Sequence, residues 1–502
     1  MKRKSILKAC SIALSFTATL LTAKGPNILF IAVDDLKPTF GAYGSVVSTP
    51  AMDRIAAQGT TFLNAHCQQA VCGPSRASLM TGKYPDFTKV WDLKTKIRDI
   101  RPNILTLTQH FKNNGYHAVG MGKIFDPRSV DQGSDKRSWS EPYTQNGHLN
   151  YNSVTGEPIG HYHNPKSKSI AAGLENTNWN AVNRKLFEND AWFTVEAEDV
   201  PDDAYYDGAI AAHAVGTLSR LATKKQPFFL AIGFKKPHLP FVAPKRYWDI
   251  FNRETIELAP YQKAPKGAPS YALHDSSELR SYNSVPVQGP IDADTQRELI
   301  HGYYACVAYI DAQIGKILDQ LERLGLAENT IIALWGDHGW HLGDHGLWCK
   351  HTNYEQATRV PLIISAPGNK AQTTSMPAEL VDLYPTLCDL AGIKTPDHLD
   401  GTSLRPTIQD KNQLTREFAI SQFPRGQRMG YALRNERYRL VAWFNTSGDG
   451  AKPGDPIHAT ELYDYTEDPL EQKNLSNDPQ YKPVVTQLSN KLFRIIKTFK
   501  NH

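Results

Sequence analysis

A cysteine, a proline, a serine and an arginine stand together in the run Cys72-Gly73-Pro74-Ser75-Arg76, which continues through Ala77-Ser78-Leu79-Met80-Thr81-Gly82. Pro74 suits the first turn of a helix, where its missing N–H is no loss. That places Cys72 just before a helix start, where free N–H groups and the helix dipole favour an anion. Arg76 offers a planar fork of donors able to hold a charged nucleophile or an anionic ester. The segment therefore reads as an anion-handling nucleophile. The competing reading is a small buried thiol beside a turn, the common fate of a free cysteine. A cysteine-phosphatase loop would need arginine six residues after the cysteine, and position 78 is serine.

Other residues with chemical capacity are spread along the chain. Asp34, Asp35 and Asp337 offer hard oxygen donors that suit Ca²⁺ or Mg²⁺ better than zinc. Taken alone, an aspartate pair after a strand is also a helix N-cap. Lys123, Lys350 and His238, the last within Lys235-Lys236-Pro237-His238, add cationic and titratable groups near predicted strands. Singly, each is more often a solvated surface charge or a satisfied histidine. Trp340, His341, His345 and Trp348 crowd one segment. Gly343 between the two histidines argues against a helical zinc pair, leaving substrate-pocket and packing roles both open.

The elements that must position these groups are short apolar strands, each followed by polar residues. Residues 27–33 run into Asp34-Asp35, 117–122 end at Lys123, 227–234 lead to Lys235 through His238, and 330–335 lead to Asp337-His338-Gly339. Residues 360–365 read as a further buried strand, preceded by Lys350. Ile310, Ile314, Ile317, Leu318, Leu321 and Leu324 recur at helical spacing up to Gly325, and residues 104–114 look similar. Strands alternating with helices predict an α/β fold, a large, mainly parallel sheet covered on both faces. Ligands of such sheets bind beyond the carboxyl ends of the strands, so these strand ends predict one shared site.

Residues 128–205 and 252–295 show little periodicity and read as insertions over that site. From about residue 400 the pattern changes. Residues 431–440 alternate around a polar turn like a hairpin, 461–464 continue the sheet, and 484–499 supply a closing helix. The expected organisation is a leader over 1–23, a catalytic α/β domain over 24–400, and a smaller α+β C-terminal unit with an antiparallel sheet over 401–502.

Lys2, Arg3, Lys4 and Lys8 precede an uncharged stretch from Ala9 to Leu21, too short to span a bilayer and fitting a secretory signal cleaved after Ala23. Lys8, two residues before Cys10, argues against a lipoprotein site there. Without the leader's four cationic residues the formal net charge falls from +5 to +1. That balance implies no nucleic-acid partner and no stable membrane insertion. The remaining cysteines, Cys67, Cys72, Cys306, Cys349 and Cys388, are odd in number and lack any CxxC, so neither a disulfide framework nor a zinc knuckle is expected. The expected location is periplasmic or secreted.

The run from Cys72 to Gly82 resembles the signature of type I sulfatases of the alkaline phosphatase-like superfamily, whose cysteine is oxidised to formylglycine. Every fixed position of that pattern is matched, and the resemblance covers most of the mature chain. It implies an alkaline phosphatase-like fold and one Ca²⁺ held by Asp34, Asp35, residue 72, Asp337 and His338. It also implies a catalytic set of Cys72, Arg76, Lys123, His238 and Lys350, and maturation by a formylglycine-generating or anaerobic enzyme. In the implied reaction one hydroxyl of the aldehyde hydrate attacks sulfur, His238 protonates the leaving sugar oxygen, and the second hydroxyl loses its proton to expel sulfate. Sulfatases usually carry a histidine two or three residues after the lysine of Gly-Lys; here Phe125 and Asp126 stand there, making Asp126 a candidate replacement. The stretches 113–125, 235–241 and 337–363 are most similar to the iduronate-2-sulfatase branch. The implied substrate is a sulfated oligosaccharide from glycosaminoglycan or algal polysaccharide, with a uronate- or galactose-type sugar. The competing expectations are a formylglycine-dependent phosphonate or phosphodiester hydrolase and a catalytically silent carbohydrate-binding relative.

Overall fold

The computed structural model describes residues 25–145, 160–172, 174, 179–446, 450–451 and 455–499; the leader read over 1–23 lies outside them. Among the described residues an eight-stranded sheet forms the centre. Its strands are β1 (Asn27–Val33), β2 (Gly59–His66), β3 (His117–Gly122), β4 (Phe228–Phe234), β5 (Thr330–Gly336), β6 (Arg359–Val360), β7 (Leu362–Ser365) and β8 (Gln372–Glu379). In space the order is β8–β2–β7–β5–β1–β4–β3, and β6 pairs with β2 just before Pro361. β5, β1, β4 and β3 are all parallel, so their carboxyl ends face one way. β7 runs antiparallel between β2 and β5, which brings the chain that precedes it back to that same end.

Four flanking helices are α1 (Cys72–Thr81), α2 (Tyr206–Leu221), α3 (Ala293–Arg323) and α4 (Leu383–Ala391). Leu29, Ile31 and Val33 of β1 join one apolar cluster with Ile210 and Leu218 of α2 and Ile310 and Ile317 of α3. Ile28, Phe30 and Ala32 join another with Leu79 and Met80 of α1 and Leu387 of α4. Both faces are thus buried, the physical reason β1 reads as an unbroken apolar run.

α3 is longer than the sequence pattern suggested. It begins at Ala293, where Asp292 accepts from the backbone N–H groups of Asp294 and Thr295 at 3.0 Å each. Leu299, Tyr303 and Cys306 extend its buried stripe back from Ile310 toward the expected insertion, which ends at residue 295. The extension matters, because the Tyr303 hydroxyl donates to the Asp35 carbonyl at 2.7 Å and accepts from Lys37 N–H at 2.9 Å. The insertion 128–205 carries helices at Pro165–Ala171 and Trp179–Glu188, whereas the loop 252–292 has only short helical turns.

β9 (Ala419–Arg425), β10 (Arg428–Arg434), β11 (Tyr438–Asn445) and β12 (Ile457–Asp464) form a separate antiparallel sheet in sequence order. Asn435 Oδ1 accepts from Arg437 and Tyr438 N–H, closing the β10–β11 turn expected from the alternation. Leu488, Leu492 and Ile496 of α5 (Lys482–Thr498) cover one face. On the other, Ala432, Val441, Trp443 and Tyr463 pack against Leu347 and Tyr354. Arg434 and Arg439 pair with Glu355 there, so the small sheet supports the stretch that carries Lys350. No helix among the described residues is long and apolar enough to cross a membrane.

Candidate active site

The turn after β1 supplies the first pair of carboxylates. Asp34 N–H donates to the Phe234 carbonyl at 3.1 Å, continuing the β1–β4 ladder. Asp35 then adopts φ 59°, a left-handed conformation that aspartate tolerates better than most residues. Its N–H donates to Asp337 Oδ1 at 3.0 Å, tying the end of β1 to the end of β5. After β3, Gly122 has φ 74°, and a Cβ there would meet the Gly233 carbonyl at 2.0 Å. Only glycine allows that approach, which aims Lys123 into the site. After β4, Asp207 at the start of α2 accepts from Lys235 and Lys236 N–H at 2.8 Å each, fixing the loop that carries His238.

Cys72 Sγ lies 3.2 Å from His338 Nε2 and 4.0 Å from Asp35 Oδ1. Single ligand atoms of Asp34, Cys72, Asp337 and His338 fall within 4.8 Å of one another, as do those of Asp34, Asp35, Cys72 and His238. His338 Nδ1 is 3.0 Å from the Gly339 carbonyl, which can only accept, so Nδ1 carries the proton and Nε2 presents a lone pair. That lone pair faces Asp35 Oδ1 at 3.3 Å and Asp337 Oδ2 at 3.6 Å. Three carboxylates converging here fit a hard divalent cation, with the His338 lone pair as a softer additional donor.

Arg76 is wholly buried behind this cluster. Its Nε donates to Asp337 Oδ2 at 2.8 Å and its Nη2 to Asp34 Oδ1 at 3.0 Å, while Nη1 takes the carbonyls of Lys123 and Ile124. All three nitrogens are engaged, so of the two roles open to it, holding the nucleophile's surroundings or gripping an ester, Arg76 is placed for the first and orients the carboxylates. Ser75 Oγ donates to the Asp337 carbonyl. Cys72 is the first residue of α1, and burial, with the Asp34 carboxylate nearby, pushes its thiol well above the ordinary range.

Cations ring the cluster. Burial pushes Asp34 up, but Lys123 and Arg76 hold it well below the usual carboxylate range, and Lys123 Nζ donates to Asp34 Oδ2. Burial lifts Asp35 well above that range, partly opposed by Lys350, whose Nζ is 3.2 and 3.0 Å from its two oxygens. His238 Nδ1 lies 2.8 Å from the Leu239 carbonyl and Nε2 points inward, 3.9 Å from Asp35 Oδ2. Burial, with Lys350 and Lys123 nearby, pulls His238 well below the ordinary imidazole range. Side-chain exposure rises outward from 0% at Asp34, Asp35 and His338 through 3% at Lys350 and 11% at Lys123 to 20% at His238, which marks the direction of ligand entry.

Asp126 sits beside Lys123 with Oδ2 at 4.0 Å from its Nζ, but Arg128 takes both of its oxygens, at 2.9 and 2.7 Å. Burial notwithstanding, Arg128 and Lys123 hold Asp126 below its ordinary range. An anchored, ionised carboxylate is a weak proton acceptor at neutral pH. Trp340, His341, His345 and Trp348 are buried packing residues, with His341-Leu342 and Trp348-Cys349 forming a two-stranded ribbon. His341 Nε2 is 3.0 Å from Thr352 Oγ1, and the rings of His341 and His345 stand 6.1 Å apart. Sequence reasoning missed Glu278, Tyr303 and Asp207, which lie in the loop 252–292 or on helices and carry no local motif.

The chain matches the family model described as Sulfatase over residues 26–393 and that described as N-sulphoglucosamine sulphohydrolase, C-terminal, over 343–498. It is similar to iduronate 2-sulfatase of Mus musculus, 35% identical with 91% of each chain covered. Its fold is similar to that of a solved protein bound to its substrate D-glucosamine-2-N,6-O-disulfate, at TM-score 0.70 and 22% identity, covering 95% of this chain and 99% of that one. A phosphonate monoester hydrolase from Silicibacter pomeroyi is as similar in fold, at TM-score 0.70 and 21% identity over 95% and 96% of the two chains.

Proposed function

The chain belongs to the sulfatase family and is a sulfuric ester hydrolase, and from that premise we propose that it removes sulfate from sulfated oligosaccharides in an exported, periplasmic or secreted setting. The observation that carries this reading is Cys72 Sγ converging with Asp34, Asp35, Asp337 and His338 beneath Lys123, Lys350 and His238. The substrate proposed is a glycosaminoglycan or algal oligosaccharide with a sulfated uronate- or galactose-type sugar; the resemblance to iduronate 2-sulfatase supports it.

In this reading Cys72 is converted to formylglycine by a maturation enzyme, and its hydrate supplies an oxygen nucleophile that the buried thiol does not. Asp34, Asp35, Asp337, His338 and residue 72 would hold one Ca²⁺, which would stabilise negative charge there. Arg76 keeps Asp34 and Asp337 aimed at that position. Lys123 and Lys350 neutralise sulfate oxygens as the S–O bond breaks. His238 stands at the mouth with Nε2 inward, placed to give a proton to the departing sugar oxygen. The negative charge of a sulfate beside it would raise the proton affinity of that imidazole, countering the effect of burial.

A product screen across sulfated glycosaminoglycan and algal oligosaccharides tests the proposal, with desulfated product and free sulfate expected. Aryl sulfate and aryl phosphonate esters run side by side give the opposing outcome: faster phosphonate cleavage defeats the reading. Mass spectrometry of the peptide spanning Cys72 tests the modification, because an intact thiol in the active protein would defeat it.

A further inference from the structure

Glu278, in the loop 252–292, reaches into the site. Its Oε1 accepts from Lys350 Nζ at 2.9 Å and lies 3.3 Å from His238 Nε2. One carboxylate oxygen thus stands between the two groups assigned to the anionic and leaving sides of the ester. We infer that Glu278 is a specificity-determining residue that competes with the sulfate group, so that an ester binds by displacing its carboxylate from Lys350 and His238. The inference rests on the sulfatase site proposed above.

The surroundings favour competition over support. Lys350 is already placed by two contacts to Asp35, and its Nζ lies 4.8 Å from the centroid of the Trp340 ring. The His238 ring is fixed through Nδ1 by the Leu239 carbonyl, on a loop clamped by Asp207. Neither donor needs Glu278 to hold its position.

The main chain around Glu278 is anchored, so displacement requires only a turn of the side chain. Ser276 Oγ accepts from Trp348 N–H at 3.0 Å, and Leu279 is buried in the core beneath α3. The Arg280 guanidinium binds the carbonyls of Asp275, Pro286 and Gly289 at 2.8, 2.7 and 2.7 Å. The side chain itself is 24% exposed, with Oε2 3.9 Å from His351 Nε2, and has solvent to turn into. Any anion that takes Lys350 and His238 must first displace this carboxylate, a threshold that an ester held by further contacts passes more readily than a small free anion.

The test compares the native protein, Glu278→Gln and Glu278→Asp in steady-state hydrolysis of an aryl sulfate, with inorganic sulfate as competitive inhibitor and melting curves as a check on folding. In Glu278→Gln, KM for the ester and Ki for sulfate should fall together, by roughly tenfold, the scale of one short charge contact near a protein surface. Glu278→Asp keeps the charge on a shorter arm, and its Ki should lie between the other two. A Ki that is unchanged or higher in either folded variant overturns the inference, since a merely supporting residue would weaken sulfate binding when replaced. A native protein that hydrolyses no sulfate ester instead overturns the proposed function, which separates the two failures.

Discussion

Cys72 Sγ and His338 Nε2 lie 3.2 Å apart although 266 residues separate them in the chain. Their meeting joins the start of α1 to the end of β5 and fixes where a nucleophile on residue 72 would act. Cys72→Ala should therefore reduce sulfate-ester turnover by roughly three orders of magnitude or more. Loss of one small buried side chain should leave the melting temperature nearly unchanged, because it costs only about 1 kcal/mol. Turnover and thermal unfolding of the same preparation check both halves.

Asp337 should matter to fold and site alike. Its carboxylate accepts from Arg76 Nε and from the N–H groups of Asp35 and His338. Asp337→Ala leaves a buried guanidinium short of a partner, a loss of about 3–5 kcal/mol. Asp337→Asn keeps an acceptor and should melt higher than the alanine variant, while the proposed Ca²⁺ should bind it more weakly than it binds the native protein. Calorimetry with and without chelator, and metal analysis of each variant, distinguish the two losses.

His238 is expected to act on the leaving group. His238→Ala should slow hydrolysis of an alkyl or sugar sulfate by roughly 10²–10⁴-fold, the usual contribution of a positioned acid. An aryl sulfate whose phenol leaves without protonation should be slowed far less. Equal losses on both substrates would remove His238 from the acid's role.

Lys235 gives a pH dependence with a definite sign. Burial, together with Lys236 and Lys123, lowers it to about 7. Below that pH the ammonium adds to the positive field around Asp34 and Lys123; above it the charge is lost, so KM for an anionic ester should rise between pH 6 and 8.5, by about three- to tenfold. Lys235→Arg stays charged throughout and should flatten the profile. KM measured across that range on both proteins checks it.

The buried parallel strands and their polar ends were legible because β1, β3, β4 and β5 are short apolar runs closed by aspartate, lysine or histidine. Their common direction then forces Asp34, Lys123, His238 and Asp337 to one side. The first half of α3 was harder to read, since Gln296, Arg297, Glu298 and His301 break the apolar stripe that Leu299 and Tyr303 continue. β2, with the sequence GTTFLNAH, mixes polar and apolar residues, and its buried polar side chains find partners only in the fold: Thr60 Oγ1 accepts from Gln372 Nε2 at 3.0 Å, and Asn64 Oδ1 lies 2.8 Å from His66 Nε2. Arg76 was recognised but its direction was not, for a motif specifies neighbours in sequence while the guanidinium's partners lie just beyond the ends of β1, β3 and β5. Glu278 had no signal at all. A lone glutamate in an aperiodic loop acquires meaning only when the fold sets it beside Lys350.

The pairing of Arg434 and Arg439 with Glu355 makes the tail of the polypeptide a buttress, since Glu355 follows Lys350 by a single loop. Chimeras that exchange this tail between relatives would need to carry both sides of the ionic seam. The two halves of the molecule are thereby bound to change together.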